Sequence, residues 1–319
     1  MNYLNTIKTA YYKAINSGNL IFFDSSLLLL TEKNVKFEVR VAPILAKMAD
    51  TGPDEKKKSK TFVNPFMNLE KELVLKQIEP GYNLIMNKFC LIPYHLLLTA
   101  KTFIEQGTPL DRIDFDAILN VISDIHEPTV TFYNSGNDSG ASQPHKHLQI
   151  VPLTTGLEDS PIVQLWMRSN PKQDQVWVSP DINFVHWGVR LDSEKIGSLS
   201  RDKSKIDEVS KYLESEYLKL LQNLVNFWKT KDGSTNSSTV STSFDPQQTF
   251  DMSYNFILTK SAMILIPRST RETSGIPINS LAFAGLLLCK TEEQSKLVNE
   301  EGPLKILGLS GFPFLSSHI

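Results

Sequence analysis

The chain has 319 residues, of which 41% are hydrophobic, and its 33 basic and 35 acidic residues give a formal net charge of -2. This composition is typical of a folded globular protein with material for one large or two ordinary domains. The near-neutral charge argues against general recruitment to nucleic acid or to an anionic membrane, so any site for an anion has to be local.

The search for targeting segments and the cysteine count narrow the class of protein further. Residues 1–20 include Lys8 and Lys13 and lack the apolar core of a signal peptide. The most apolar stretch, 281–289, is far shorter than the roughly 18 residues of a membrane span. Cys90 and Cys289 are the only cysteines, too few for a disulfide framework or a zinc knuckle. We therefore expect a soluble intracellular protein without a zinc site.

Hydrophobic periodicity predicts a mixture of helices and strands along the chain. Residues 3–16 carry apolar side chains at helical spacing, and Gly18 is placed to end that helix. Residues 53–60 form a charged stretch without apolar period, which predicts an exposed loop before a turn at 64–66. The other predicted elements are strands at 82–86, 96–100 and 129–133, a helix with apolar positions between 113 and 122, a long helix at 206–228, a Ser- and Thr-rich surface loop at 233–243, and strands at 254–258 and 262–266.

One early segment is similar to a later one. Residues 82–88 recur as residues 254–260, and each copy is followed by an Ile-Pro pair. Chance similarity between two apolar strands is the alternative explanation. Strands come in adjacent pairs and do not alternate regularly with helices, so we expect an α+β fold with a largely antiparallel sheet flanked by helices. We expect a single domain over 1–319, built of two related halves at about 1–155 and 156–319.

The richest chemistry lies between residues 134 and 150. A loop of glycine and small polar residues, 134–143, leads into Pro144-His145-Lys146-His147-Leu148-Gln149-Ile150. Side chains alternate along a strand, so His145, His147 and Gln149 are expected on one face, with Lys146, Leu148 and Ile150 on the other. Small residues let an anion approach backbone N–H groups, so the combination predicts a phosphate-chain site.

A neutral imidazole is a competent nucleophile near pH 7, and its phosphoramidate adduct can pass the group on. We expect His147, the central member, to be the nucleophile, with His145 orienting the strand or ring. The Gln149 amide would donate to a phosphate oxygen without titrating. Because glutamine cannot act as a general acid, the site favours leaving groups that need little protonation, such as a nucleoside polyphosphate.

Two other interpretations of the motif stay open. His-x-His on a strand is also metal-ligand spacing, although a third ligand would have to come from a residue without recognisable spacing, such as His95, His126, His186, His318 or a carboxylate. Alternatively, both histidines are satisfied polar residues on a half-buried strand.

The motif His145-Lys146-His147-Leu148-Gln149 resembles the His-x-His-x-Gln signature of the histidine-triad and galactose-1-phosphate uridylyltransferase superfamily. More narrowly, the chain is similar over nearly its whole length to the fungal diadenosine tetraphosphate phosphorylases, also called ATP adenylyltransferases. The segments that carry this similarity are 87–89, 92–93, 133–149, 183–186, 254–260 and 267–269. The resemblance implies a histidine-triad-like fold and reversible phosphorolysis of diadenosine tetraphosphate to ATP and ADP through an adenylyl-histidine.

Carried over position by position, the resemblance makes His147 the nucleophile and Gln149 a phosphate contact. Lys47 matches a family lysine only if the alignment is shifted by one residue, and the charged run Lys56 to Lys60 is better explained as a solvated loop. The implied nucleotide contacts are Asn87, Lys88 and Asn134, the loop residues Gly140, Ala141, Ser142 and Gln143, and Asn279, Ser280, Leu281, Leu286 and Lys290 from the C-terminal half.

Partners and cofactors follow from the same resemblance. The expected ligands are diadenosine polyphosphates, ATP, ADP and inorganic phosphate, with Mg²⁺ delivered by the polyphosphate and no metal held by the protein. A uridylyltransferase acting on sugar phosphates and a nucleotide-binding sensor without turnover are the alternatives; the lack of a cysteine pair disfavours the former. We expect a monomer in the cytoplasm, with the nucleus as a second location.

Overall fold

The computed structural model describes residues 2–44, 46, 63–199, 202–231 and 252–314. The predicted loops at 53–60 and 233–243 lie outside the described residues, and so does Lys47. The helices are α1 (Tyr3–Asn16), α2 (Arg112–Ile122), α3 (Pro161–Met167), α4 (Ser193–Ser198), α5 (Ile206–Lys231), α6 (Ser280–Phe283), α7 (Glu292–Glu301) and α8 (Pro303–Gly308).

The strands fall into one large sheet and several small ones. Their bounds are β1 (Ile21–Phe22), β2 (Ser26–Glu32), β3 (Val35–Val41), β4 (Val74–Ile78), β5 (Tyr82–Met86), β6 (Phe89–Cys90), β7 (Leu96–Ala100), β8 (Thr129–Ser135), β9 (His147–Pro152), β10 (Val176–Trp177), β11 (Trp187–Arg190), β12 (Tyr254–Leu258), β13 (Ala262–Pro267), β14 (Glu272–Thr273), β15 (Ile276–Pro277) and β16 (Leu286–Cys289).

A nine-stranded sheet organises the molecule, in the order β10-β11-β13-β12-β8-β9-β7-β5-β4. All of its pairings are antiparallel. The central pair, β8 and β9, carries Asn134 near the end of one strand and His147 at the start of the other. The expected α+β architecture, with an antiparallel sheet flanked by helices, is therefore confirmed.

Both faces of this sheet are covered, which buries its alternating apolar side chains on either side. Helices α1, α2 and α5 pack on one face, where Leu148 and Ile150 of β9 join their core. On the other face a three-stranded sheet, β16-β3-β2, and the shorter helices build a second core. A third, small apolar cluster on that second face contains Phe66, Ile85 and Leu97.

A buried ion pair fixes the motif strand to the helical face. Asp111 caps α2 through a reciprocal box with Asp114, so the Asp114 carboxylate is held at the first turn. The ammonium of Lys146 donates to Asp114 Oδ2 at 2.6 Å and to the carbonyl of Pro109 at 3.0 Å. Tyr82 donates its hydroxyl to the same carboxylate. Lys146 is thereby pinned to the helical face, away from the cavity that His147 and Gln149 line on the other face.

Most predicted elements coincide with the observed ones. Four of them, α1, β5, β7 and β12, have the predicted bounds, and three others extend to Ser135, Lys231 and Pro267. The motif strand is shorter than predicted, because residues 144–146 pair with the irregular segment 104–106: Lys146 N–H donates to Ile104 O, and Gln106 N–H to Pro144 O. Among the described helices, none is long and apolar enough to span a bilayer.

The two similar segments both begin antiparallel hairpins of the large sheet. β5 pairs with β7, and β12 pairs with β13. In the sheet, β12 lies next to the central strand β8, whereas β5 is separated from β9 by β7. Common ancestry of the two halves stays a prediction.

Candidate active site

A cavity of 590 Å³ opens on the second face of the large sheet, beside the ends of β8 and β9. Its walls bring together residues from both halves of the chain. The predicted site residues that line it are Asn87, Lys88, Asn134, Gly140, Ser142, Gln143, His147, Gln149, Asn279 and Leu281.

Of the predicted site residues that the structure describes, five do not line this cavity. Ser280 is fully buried, with its hydroxyl donating to Tyr133 O at 2.7 Å. Leu286 packs in the second core. The remaining three, whose direct roles stay predictions, are Ala141, His145 and Lys290.

His147 presents one ring nitrogen to the cavity in unprotonated form. Its Nδ1 is 2.9 Å from the carbonyl oxygen of His145, and a carbonyl only accepts, so Nδ1 carries the proton. The Nε2 lone pair of the neutral ring is then free. Burial lowers the pKa of His147 to about 4, which keeps the ring neutral at pH 7. The geometry is that of a nitrogen nucleophile.

His186 shows what distinguishes His147. Its Nδ1 bonds in the same way to the carbonyl two residues earlier, Phe184 O, at 2.8 Å. Its Nε2, however, accepts the backbone N–H of Ser179 at 2.9 Å. Burial lowers the pKa of His186 to about 4 as well. The Nε2 lone pair of His186 is therefore occupied by a backbone N–H, whereas that of His147 faces the cavity.

A chain of hydrogen bonds sets the orientation of the Gln149 amide. Phe89 N–H donates to Asn87 Oδ1 at 3.2 Å, so the Asn87 NH₂ group is the one that donates to His95 Nδ1 at 3.1 Å. His95 must then carry its proton on Nε2, which donates to Gln149 Oε1 at 2.9 Å. This leaves the Gln149 NH₂ group as a donor on the cavity side. The sequence suggests His95 only as a possible third metal ligand and does not predict this contact with Gln149.

Gln106, which sequence reasoning did not identify, bridges the two central strands where they separate. The β8–β9 ladder ends at the Phe132–Gln149 pair. Beyond it, Gln106 Nε2 donates to Asn134 O at 2.9 Å and to His147 O at 3.1 Å, and Gln106 Oε1 accepts His147 N–H at 2.8 Å. The Gln106 side chain thus takes the place of the backbone hydrogen bonds between β8 and β9 and fixes the distance between Asn134 and His147.

The glycine-rich loop is shaped by close packing against the C-terminal half. Gly140 has φ +81°, and a Cβ there would lie 2.6 Å from Ile278 O and 2.9 Å from Asn279 Cβ. Only glycine fits this contact. Asn134 Oδ1 accepts from Ser280 N–H at 2.8 Å and from Asn255 Nδ2 at 2.9 Å, so the Asn134 NH₂ group is left as a donor.

Arg268 lies fully buried beneath this loop. It donates to Ser139 O at 3.2 Å, to Ile278 O at 3.0 Å, to Ser310 O at 3.1 Å and to the Asn255 side-chain oxygen. Burial lowers its pKa to about 9, so it stays charged at pH 7. A fixed positive charge under the loop favours a bound anion.

Lys88, predicted to contact phosphate, lines the cavity but is already paired. Its ammonium lies 2.5 Å from Glu70 Oε1, and both side chains are partly exposed. An exposed pair of this kind is weak, so an arriving polyphosphate can compete with Glu70. Across the residues that the structure describes, no group of three or more His, Cys, Asp or Glu side chains is placed to hold a metal ion.

Two family models match the chain in tandem. One, described as the Ap4A phosphorylase N-terminal domain, matches residues 2–167, and the other, the ATP adenylyltransferase C-terminal domain, matches residues 180–313. The large sheet draws strands from both matched regions, and the cavity lies where they meet.

Two Saccharomyces cerevisiae proteins are similar over nearly the full length. Diadenosine 5',5'''-P1,P4-tetraphosphate phosphorylase 2 is 29% identical, with 91% of this chain and 88% of that protein covered. Protein APA1 is 25% identical, covering 96% of this chain and 93% of that protein.

The fold matches a solved structure, that of yeast Ap4A phosphorylase Apa2 in complex with Ap4A. The TM-score is 0.76 at 24% identity, with 99% of each chain covered. The complex of the same enzyme with AMP gives a TM-score of 0.75 at 23% identity and 99% coverage of both chains. On the strength of its two matched domains, the chain belongs to the Ap4A phosphorylase and ATP adenylyltransferase family.

Proposed function

We propose that this nucleotidyltransferase catalyses the reversible phosphorolysis of diadenosine tetraphosphate by inorganic phosphate, giving ATP and ADP. The observation that carries the proposal is the neutral His147 ring, whose Nε2 faces a cavity with amide donors and a glycine-rich loop. Membership of the family and the similar yeast phosphorylase support the choice of substrate.

The reaction divides into two displacements at one phosphorus. His147 Nε2 attacks the α-phosphorus of one adenosine, the bond to the bridging oxygen breaks, and ATP leaves. Inorganic phosphate then attacks the adenylyl group, the P–N bond breaks, and its electron pair returns to Nε2 as ADP forms. Two in-line displacements leave the configuration at phosphorus retained.

The surrounding residues suit this sequence of events. The NH₂ groups of Gln149 and Asn134 are donors for non-bridging oxygens, and buried Arg268 supplies a positive charge behind the loop. ATP is a good leaving group, which removes the need for a general acid at the position of Gln149. We propose that a Mg²⁺ ion arrives bound to the polyphosphate, where it offsets part of the charge.

The decisive experiment follows the nucleotides directly. Purified protein is incubated with diadenosine tetraphosphate, with and without inorganic phosphate, and products are separated by chromatography. With phosphate we expect equal amounts of ATP and ADP over many turnovers, and without phosphate at most one equivalent of ATP per enzyme. UDP-glucose and galactose 1-phosphate serve as the test of the alternative transferase. Turnover of this pair of substrates in place of diadenosine tetraphosphate would refute the assignment.

The setting of the enzyme is a further part of the proposal. We infer a monomer that works in the cytoplasm, with the nucleus as a second location. Light scattering of the purified chain and imaging of a tagged chain check the two statements independently.

Replacing Gln149 by Glu should impair the chemical step. The substitution keeps the oxygen that accepts from His95 Nε2, but it replaces the NH₂ donor by a second oxygen that repels phosphate. We expect kcat/KM to fall by about 10²- to 10³-fold, as for the loss of one donor to a developing charge. Steady-state kinetics provide the measurement, with the thermal midpoint as the check on folding. A variant as active as the wild type would contradict the donor role.

Gln106→Leu should separate positioning from binding. The variant removes three hydrogen bonds to Asn134 and His147, while keeping a similar volume. Because the gap between the strands is no longer fixed, we expect kcat to fall by roughly tenfold to 10²-fold, with a smaller change in KM. Gln222→Leu, on the exposed side of α5, is the matched control. A variant that loses stability but keeps kcat would show a structural role only.

A further inference from the structure

An adenylyl group on an imidazole nitrogen reacts with any oxygen nucleophile that reaches its phosphorus. Water is far more abundant than inorganic phosphate in any aqueous solution. An enzyme that releases ADP and not AMP must therefore keep water away from the adenylyl-histidine while admitting phosphate. The residues that surround the His147 ring decide this outcome.

Among the described residues, Phe66 is the aromatic side chain that packs directly on the His147 ring. Its ring centroid lies 5.2 Å from that of His147, with an angle of 49° between the planes. It also meets the His145 ring edge-on, at 5.6 Å. Only 8% of Phe66 is exposed, and it lines the same cavity as His147. The phenyl ring covers a part of the imidazole that solvent would otherwise reach.

Hydrogen bonds hold this ring in place. His145 Nε2 lies 2.9 Å from Ala100 O, so it carries the proton, and its Nδ1 accepts from Asn64 Nδ2 at 2.8 Å. The Asn64 Oδ1 atom accepts Phe66 N–H at 3.0 Å. His145 therefore fastens the segment from Asn64 to Phe66 over the nucleophile, which gives the first motif histidine a concrete task.

The side chains that cluster with Phe66 are apolar. Phe66 packs with Ile85 and Leu97, and partly buried Leu69 and Val74 extend the cluster. Leu97 lies opposite Gln149 in the β7–β9 ladder, so the apolar wall reaches the phosphate-facing amide. A water molecule needs two to four polar neighbours to be held in such a place. Inorganic phosphate, in contrast, can be drawn to the amide donors and the loop above Arg268.

We propose that Phe66 determines the acceptor: it excludes water from the adenylyl-histidine, so that inorganic phosphate takes the adenylyl group. This inference rests on the proposed function. In phosphorolysis a phosphate oxygen attacks phosphorus, the P–Nε2 bond breaks and ADP leaves. In hydrolysis a water oxygen attacks, the same bond breaks with its electron pair returning to Nε2, the water proton passes to solvent, and AMP leaves.

Phe66→Ala tests the proposal through the products. Removing the phenyl ring opens more than the about 30 Å³ that one water occupies. With diadenosine tetraphosphate and a fixed phosphate concentration, we expect the ratio of AMP to ADP to rise at least about tenfold over the wild type, equivalent to about 1.4 kcal/mol in relative barrier. Phe66→Leu, which keeps an apolar cover, should change the ratio much less.

Phe103→Ala is the matched control, because Phe103 packs on the other histidine, 5.5 Å from the His145 ring, and is 53% exposed. Its AMP to ADP ratio should equal that of the wild type. Asn64→Ala is a second test that keeps the phenyl ring but releases its anchor, so the ratio should rise in the same direction. If Phe66→Ala does not fold, Asn64→Ala decides the matter.

The outcomes separate this inference from the function on which it rests. If the wild type makes no ATP and ADP, the proposed function fails. If the wild type makes both, while Phe66→Ala and Asn64→Ala partition the adenylyl group as the wild type does, the function stands and the role of Phe66 is overturned. An equal rise in Phe103→Ala would also overturn it, because the effect would then not come from the cover on His147.

Discussion

Replacing His147 by Gly should reduce turnover of diadenosine tetraphosphate by at least about 10⁴-fold, as expected for removal of a covalent nucleophile. The neighbouring histidine cannot take over, because both nitrogens of His145 are engaged, with Ala100 O and with Asn64. His186 cannot do so either, since its Nε2 accepts a backbone N–H. Loss of the ring therefore removes the only step that splits the substrate.

The measurement pairs kinetics with detection of the intermediate. Protein quenched after mixing with diadenosine tetraphosphate in the absence of phosphate, where only the first displacement can occur, is digested and analysed by mass spectrometry. We expect one adenylate on the peptide that contains His147. The Gly variant should still bind the dinucleotide by calorimetry but carry no adenylate. His126→Gly, at an exposed histidine, is the control and should behave as the wild type. Adenylate on another residue would reject the assignment.

The elements that sequence reasoning recovered are those encoded by local periodicity. Helix α1 and strands β5, β7 and β12 were predicted with their observed bounds because each has a clear apolar pattern between breaking residues. The hairpin of β2 and β3 was missed. Its turn uses Lys33 and Asn34, both with positive φ, and only the asparagine is a usual residue for that conformation. A run of four leucines next to it also lacks the alternation of a half-buried strand.

The residues of the candidate site also fall into those that local sequence predicts and those that it does not. The nucleophile and the glycine-rich loop were predictable, because residues 134–149 place them close together in sequence. His95, Gln106 and Arg268 act in part through hydrogen bonds to residues distant in sequence: Gln149, His147 and Asn255 lie 54, 41 and 13 positions away from them. No local pattern encodes such contacts. The resemblance implies Leu286 and Lys290 as nucleotide contacts, whereas Leu288, in the same strand as Leu286, lines the cavity.

The protein should also lose stability steeply in mild acid, because the described residues include four buried histidines whose pKa is lowered by burial, among them His145. Burial lowers the pKa of His95, His147 and His186 from 6.5 to about 4. A histidine whose pKa is lower in the folded state is protonated at a higher pH in the unfolded chain, so acid favours unfolding. The histidine contribution is therefore fully present above pH 6.5 and is lost as the pH falls toward 4.

Each histidine contributes about 1.4 kcal/mol per pH unit to this slope, and the three together about 4 kcal/mol per unit between pH 6.5 and 4. Urea unfolding at a series of pH values gives the free energy of unfolding directly. In His186→Gln the slope should fall by the share of one histidine, about 1.4 kcal/mol per pH unit, whatever the variant does to stability at pH 7. Buried carboxyls such as Asp114, whose pKa burial raises, oppose the slope but cancel in this comparison. Equal slopes for the two proteins would show that His186 takes up its proton in the folded state, contrary to a ring held neutral between Phe184 O and Ser179 N–H.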